Sequence, residues 1–314
     1  MKPYWQGVFP AVTTQMRRNG DLDLDATARH LEVMIDSGVA GLVVCGSLGE
    51  NQVLDPGEKR AVVEAAVGVS AGRVPVLSGV AETSTRAACS YVRDCRALGA
   101  DGFMVMSAMV YPGDEREIVE HFRAVASSVD SPLMIYNNPV SYANDVTPAL
   151  FAKLAEFDTI VAIKESSQDT RRITDLRNTV GDRYALFAGI DDLALEAAVL
   201  GIDGWIAGIG LAFPYENQYL WDLTRQGEWE KARTVYRWYT PLLHLDVSTK
   251  LVQYIKLAEQ ENGLGSEWVR APRLPLVGAE RSRVLDVVRK GIAERPDLPD
   301  GYRSADRPTA AARA

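Results

Sequence analysis

The 314-residue chain is 47% hydrophobic and 24% charged, an ordinary globular composition with room for one large α/β domain or two small ones. Its net charge of −8, with basic residues spread out rather than clustered, argues against nucleic acid or an anionic membrane as partner. The three cysteines (Cys45, Cys89, Cys95) and three histidines (His30, His121, His244) show no metal-ligand spacing, so no metal is expected.

Gly7 to Thr14 reads as a first strand, and Asp23 to Ser37 as a helix with apolar residues at helical spacing and a Gly38 stop. Gly41 to Gly46 is a second strand, followed by a proline-opened helix from Pro56 to Ser70. Val74 to Val80 and Gly102 to Met106 are the third and fourth strands, with helices from Ser84 to Leu98 and from Asp114 to Val129. Pro132 to Asn137 is the fifth strand, with a helix near Pro148 to Ala155. Ile160 to Lys164 is the sixth, with a helix from Asp169 to Val180. Tyr184 to Ala188 and Gly204 to Gly208 are the seventh and eighth, with helices from Asp191 to Leu200 and from Pro214 to Thr224.

Strict alternation of strand and helix over about 225 residues implies a parallel sheet with right-handed crossovers, and eight units at that length fit a closed (β/α)8 TIM barrel. No GxGxxG follows a strand, which leaves a dinucleotide-binding sheet little support. From Gly227 the pattern becomes purely helical, with stripes at Trp229, Val235, Tyr236, Tyr239 and Leu243, then Leu251, Ile255 and Ala258, then Val284, Leu285 and Val288. The expected layout is a barrel over residues 1–226, a C-terminal helical extension over 227–294, and a flexible tail over 295–314. The opening stretch has no signal-peptide apolar region and no segment reaches membrane-spanning length, so a cytoplasmic protein with no membrane partner is expected.

Within Ile160-Val161-Ala162-Ile163-Lys164-Glu165, four apolar residues run straight into a lysine. A run of this kind reads as a strand buried on both faces, which places the amine at its end. Burial lowers a lysine pKa, and a neutral amine forms Schiff bases with carbonyls and imines. The plainer alternative is a strand-end lysine reaching solvent or pairing with Glu165. In a barrel of this type the active site lies at the C-terminal strand ends, which makes those ends the places to look.

Gly46-Ser47-Leu48-Gly49 offers backbone N–H groups for a carboxylate or another anion, or is simply a turn. Tyr136 ends the strand beside Lys164, where its phenol can move protons with Ser47 as relay; a buried tyrosine with a satisfied hydroxyl is the commoner case. Lys164, Tyr136 and Ser47 are the candidate catalytic residues; Ser47, Leu48, Gly189, Asp191, Ile206 and Asn138 are the candidate substrate-binding residues. Asp191 binds a substrate hydroxyl or caps the next helix, Asn137 and Asn138 shape a turn, and Glu50 binds substrate or holds its loop. Gly208-Ile209-Gly210 lacks a neighbouring cation and is a weak phosphate cradle, and Cys45 reads as inert core.

These residues resemble the dihydrodipicolinate synthase / N-acetylneuraminate lyase family of Schiff-base barrels. The resemblance lies in Gly46-Ser47-Leu48-Gly49-Glu50, Tyr136-Asn137-Asn138-Pro139 and Ile163-Lys164-Glu165, and runs over residues 7 to 225 and into the helical extension. It implies Lys164 as Schiff-base former, Tyr136 as acid and base, and the Ser47 and Leu48 N–H groups as carboxylate binders. It also implies no cofactor beyond the covalent Schiff base on Lys164, a small 2-keto or cyclic imino acid as substrate, and a homotetramer. The aromatics of the extension (Trp229, Tyr236, Trp238, Tyr239) serve an interface between copies or pack on the barrel itself.

The chain departs from the synthases in three places. They carry an arginine shortly after the tyrosine motif, where this chain has Val140-Ser141-Tyr142-Ala143-Asn144-Asp145; they carry two threonines where it has Ser47 and Leu48; and their relay tyrosine from a neighbouring subunit is matched at best by a shifted Tyr111.

The chain is similar to the branch of 1-pyrroline-4-hydroxy-2-carboxylate deaminases in these motifs, in Trp205 to Gly210 and in Glu267 to Arg273. In that reading Lys164 attacks C2 of the cyclic imine and opens the ring, Tyr136 with Ser47 moves the C3 proton, the C4 hydroxyl departs, and water releases ammonia to leave 2,5-dioxopentanoate. A 2-keto-3-deoxy sugar acid aldolase, a dihydrodipicolinate synthase and a non-catalytic keto-acid-binding barrel are the alternatives.

Overall fold

A computed structural model describes residues 5–108, 111–300 and 302. Eight parallel strands run in the order β1-β8-β7-β6-β5-β4-β3-β2. They are β1 (Gly7–Val8), β2 (Leu42–Val44), β3 (Val76–Val80), β4 (Gly102–Met106), β5 (Leu133–Asn137), β6 (Ile160–Glu165), β7 (Ala185–Ala188) and β8 (Gly204–Trp205). The two ends of the sheet meet: Ala11 bridges Val43 in parallel, and Val12 N–H donates to the Val43 carbonyl at 2.8 Å. The curled sheet with its alternating helices fits a (β/α)8 barrel.

The first strand is shorter than the sequence pattern suggests. Pro10 has no N–H to give the β2 side of the ladder, while on the β8 side Phe9 and Ala11 still donate to the Trp205 and Ala207 carbonyls at 2.8 and 2.9 Å.

The helices are α1 (Leu24–Asp36), α2 (Pro56–Ser70), α3 (Thr85–Ala97), α4 (Glu115–Ala126), α5 (Pro139–Tyr142), α6 (Pro148–Leu154), α7 (Arg171–Val180), α8 (Ala194–Val199) and α9 (Pro214–Arg225). The extension adds α10 (Trp229–Leu243), α11 (Leu251–Glu261) and α12 (Gly278–Ala293). Their starts are written in the sequence. Asp55 with Glu58 and Asp114 with Glu117 form capping boxes, and Pro56 opens α2 where its missing N–H costs nothing. The helix expected from Asp191 begins instead as a 3-10 turn over Asp191–Leu193, and α8 follows.

The strands' N-terminal ends are plugged by aromatics that occupy space left by glycines. A Cβ on Gly41 would stand 2.0 Å from the Phe9 ring, one on Gly102 2.5 Å from Trp5, and one on Gly204 2.1 Å from Phe187. Phe9 and Phe187 meet edge to face at 5.5 Å, a favoured geometry for an aromatic pair.

The extension is joined to the barrel by a buried polar seam. Lys256 Nζ donates to Glu50 Oε1 at 2.6 Å and to the Trp268 carbonyl at 2.8 Å, and neither Lys256 nor Glu50 side chain is exposed. Thr13 Oγ1 and Gln15 Nε2 donate to the two carboxylate oxygens of Glu259 at 2.7 and 2.8 Å. Three of the aromatics of α10 bond within the chain: Tyr236 donates to the Asp192 carbonyl, Trp238 to the Gly291 carbonyl, and the buried Tyr239 to Asn217.

Of the expected tail, Arg295 lies 3.6 Å from the buried Glu216 and bonds Asn262, and Tyr302 donates to Asp222 at 2.7 Å. Residues 301 and 303–314 lie outside the described residues.

Candidate active site

Strand alternation decides where the lysine points. Tyr136 on β5 pairs in register with Lys164 on β6, and both side chains face the barrel interior. Glu165 therefore faces the other way. It accepts from Asn137 Nδ2 at 3.0 Å and from the Ser167 N–H at 2.7 Å, so the Lys164–Glu165 pair that the sequence left open does not form.

Lys164 is 7% exposed, and its Nζ lies 3.9 Å from the centre of the Tyr136 ring. Among the described residues it has no hydrogen-bond partner or salt bridge. Burial pushes its pKa down, against the pull of Asp246, Tyr142 and Asp191. Gly189 on the adjoining wall is required there. A Cβ would stand 2.0 Å from Ser166 Oγ and 2.8 Å from Lys164 Cε.

Lys164, Tyr136, Ser47, Leu48, Asn138, Gly189 and Ile206 all line one open cavity of about 1600 Å³ at the C-terminal strand ends. The N–H groups of Ser47 and Leu48 have no protein acceptor among the described residues, as an anion cradle needs. Tyr136 is buried, accepts from Asn138 Nδ2 at 3.1 Å, and has its pKa pushed up to about 12 by burial. It is a phenol at neutral pH, with a proton to give.

One expectation is corrected, a weak reading loses its support and an open one is narrowed. Asp191 is neither a free hydroxyl binder nor a side-chain helix cap. Its carboxylate takes Trp205 Nε1 at 2.9 Å, the Gly208 N–H at 3.1 Å and the Ile209 N–H at 2.7 Å, and it clamps the turn after β8. For the same reason the Gly208-Ile209-Gly210 turn is no phosphate cradle, since two of its N–H groups are already engaged. Tyr111 is 58% exposed and donates to Glu117 at 2.7 Å on its own α4, so within this chain it does not reach the cavity; Met109 and Val110 lie outside the described residues. Glu50 holds its loop through Lys256 and the Arg270 N–H. Cys45 is buried, with its thiol pushed up to about 12 by burial, and is core.

The cavity also contains residues that sequence reasoning missed. Tyr142 ends α5, a single helical turn capped by Asn138 and opened by Pro139. Its hydroxyl stands 2.5 Å from Ser47 Oγ, its ring meets Tyr136 edge to face at 5.9 Å, and burial pushes its pKa up to about 12. Asn-Pro was the available signal, because it starts a helix as readily as a turn. Asp246 and Arg273 enter the wall from the extension, and no strand-end rule could have named them.

A model of the dihydrodipicolinate synthetase family matches residues 4–290. The 4-hydroxy-tetrahydrodipicolinate synthase of Methanospirillum hungatei is 31% identical over 271 residues, covering 85% of this chain and 93% of that protein. The dihydrodipicolinate synthase of Aquifex aeolicus superposes with a TM-score of 0.87 at 29% identity, over 91% of this chain and 98% of that one. A prophage protein of the dihydrodipicolinic acid synthase family from E. coli K12, solved with pyruvate, gives 0.87 at 28% identity, over 92% and 99%. The chain belongs to the dihydrodipicolinate synthetase family, whose enzymes form a covalent lysine Schiff base with pyruvate and need no cofactor.

Proposed function

We propose that this chain is a Schiff-base enzyme for a small 2-imino or 2-oxo acid, and specifically a 1-pyrroline-4-hydroxy-2-carboxylate deaminase. Lys164 attacks C2, the Ser47 and Leu48 N–H groups hold the carboxylate, and Tyr136 moves the C3 proton with Ser47 in relay. The desolvated amine is the nucleophile such chemistry needs.

The observation that carries the deaminase reading is Tyr142. The stretch in which the synthases carry an arginine for a second carboxylate supplies a phenol, and that phenol bonds Ser47 within the same chain. A relay partner in the chain's own α5 and an apolar Leu48 beside it suit one substrate rather than a condensation of two.

The second reading is 4-hydroxy-tetrahydrodipicolinate synthase. The relatives' names back it better than they back the deaminase. Arg273 favours it too, because its guanidinium lines the cavity with no hydrogen-bonding or ionic partner among the described residues and suits a second carboxylate.

The deciding experiment runs two assays side by side: ammonia release from 1-pyrroline-4-hydroxy-2-carboxylate, and condensation of pyruvate with aspartate semialdehyde. Ammonia without condensation is expected. Condensation alone transfers the assignment to the synthase, and pyruvate release from a 2-keto-3-deoxy sugar acid transfers it to an aldolase.

A further inference from the structure

The link between α10 and α11 carries a carboxyl group into the cavity. Asp246 is half-buried and lines the same cavity as Lys164, Tyr136 and Ser47. The barrel wall makes room for it: a Cβ on Gly208 would stand 2.3 Å from Asp246 Oδ1. Asp191, its acidic neighbour, is consumed by three protein donors. Asp246 has only the Asp191 backbone N–H directed at it among the described residues, which leaves it free to bond something in the cavity.

The wall on the β7 and β8 side of the lysine is Gly189, Ile190, Ile206 and Gly208, none with a polar side chain, and Asp246 stands beside it. A hydroxyl on a substrate chain lying along that wall has Asp246 as its polar partner. The charged and titratable groups facing Asp246 are Lys164, Asp191 and Asp192, with the phenols of Tyr136 and Tyr239.

We infer that Asp246 is a catalytic residue that holds the C4 hydroxyl of a 2-imino or 2-oxo acid joined to Lys164 and protonates that hydroxyl as it leaves. The inference rests on the Schiff-base reading of Lys164 and deepens it by naming the substrate class, 4-hydroxylated acids.

The step balances. Once the C3 proton is gone, the enamine nitrogen pair re-forms C2=N, C3=C4 forms and the C4–O bond breaks. The oxygen keeps both electrons of that bond, takes the Asp246 proton and departs as water. After isomerisation to the protonated C5 imine, a second water adds its oxygen to C5 and gives a proton back to the Asp246 carboxylate as the C=N pair moves to nitrogen; the C5–N bond then breaks with its pair on nitrogen, the C5 hydroxyl proton passes to that nitrogen, and ammonia leaves as C5=O forms. Burial and the adjacent Asp191 push Asp246 well above the usual carboxylate range, so it holds a proton to donate.

The test compares two five-carbon probes that differ only at C4, 4-hydroxy-2-oxopentanoate and 2-oxopentanoate, by the concentration of each that half-saturates borohydride trapping. The full chain is expected to prefer the hydroxylated acid by about three- to tenfold, as for a hydrogen bond to an uncharged carboxyl group. Asp246→Leu erases that preference while pyruvate is still trapped, which shows an intact fold.

Asp246→Asn keeps part of the preference. It lowers ammonia release from 1-pyrroline-4-hydroxy-2-carboxylate by about 10²- to 10⁴-fold and abolishes the fall in rate at high pH that loss of the Asp246 proton causes. If Asp246→Leu is not trapped by pyruvate, the turnover and pH profile of Asp246→Asn decide.

The same preference before and after substitution, or none in the unmodified chain, overturns the inference. A preference without any ammonia release sinks the deaminase reading and leaves Asp246 holding the hydroxyl. No trapping by any 2-oxo acid removes both.

Discussion

Lys164 in the barrel mouth and Lys256 in the seam with the helical extension are both buried, and burial pushes both amines below the ordinary lysine range. Lys256 has its protons committed to the Glu50 carboxylate and the Trp268 carbonyl. Lys164 has a ring face at 3.9 Å and no acceptor among the described residues. The first arrangement satisfies a buried amine and makes it structural. The second strips solvent from an amine without satisfying it, which suits the proposed Schiff-base role. Burial is common to the two; what differs is whether a partner waits.

The largest expected effect is at the mouth. Lys164→Ala removes every borohydride-trappable adduct with pyruvate, read by intact mass, and turnover falls to background; normal turnover in that variant dissolves the contrast. In the seam, Lys256→Met leaves Glu50 buried and unpaired, and unfolding in urea is expected to show a loss of about 3–5 kcal/mol. A change within experimental error would mean that the seam pair contributes little beyond its own desolvation.

Tyr136→Phe removes the proton carrier but not the nucleophile. Turnover should drop by about 10²- to 10⁴-fold while adduct formation persists. Tyr142→Phe deletes one hydrogen bond to Ser47, and a loss of about tenfold is expected.

The pH response sharpens the contrast further. A group whose folded pKa lies below its unfolded value binds fewer protons in the fold, so stability rises with pH from that lowered value to about 10.4. Lys164→Met should therefore raise the melting temperature at neutral pH, whereas Lys256→Met lowers it. The rate of pyruvate adduct formation should climb with pH through a midpoint below that of a free lysine.

The strand order and the buried strand-end lysine were legible in the chain because they rest on local patterns. An apolar run ending in Lys164 says both "buried strand" and "strand end", and in-register Tyr136 follows from the neighbouring run. Helix starts at Asp55-Pro56 and Asp114 were equally plain. The rest depended on distant segments meeting. Asp191 reads locally as a hydroxyl binder or a helix cap, and only the fold brings Trp205 and the Gly208 turn onto it. Glu50 acquires its meaning from Lys256, more than 200 positions away in the chain. Asp246 and Arg273 belong to helical connections whose docking over the mouth no periodicity encodes. Tyr142 was hidden by a turn that proved to be one turn of helix.

The plugging of Gly41, Gly102 and Gly204 by Phe9, Trp5 and Phe187 makes the barrel a cul-de-sac. Whatever is released from the lysine backs out through the doorway by which its precursor came in. Among the described residues, the mouth at the C-terminal strand ends then serves as both entrance and exit of the cavity.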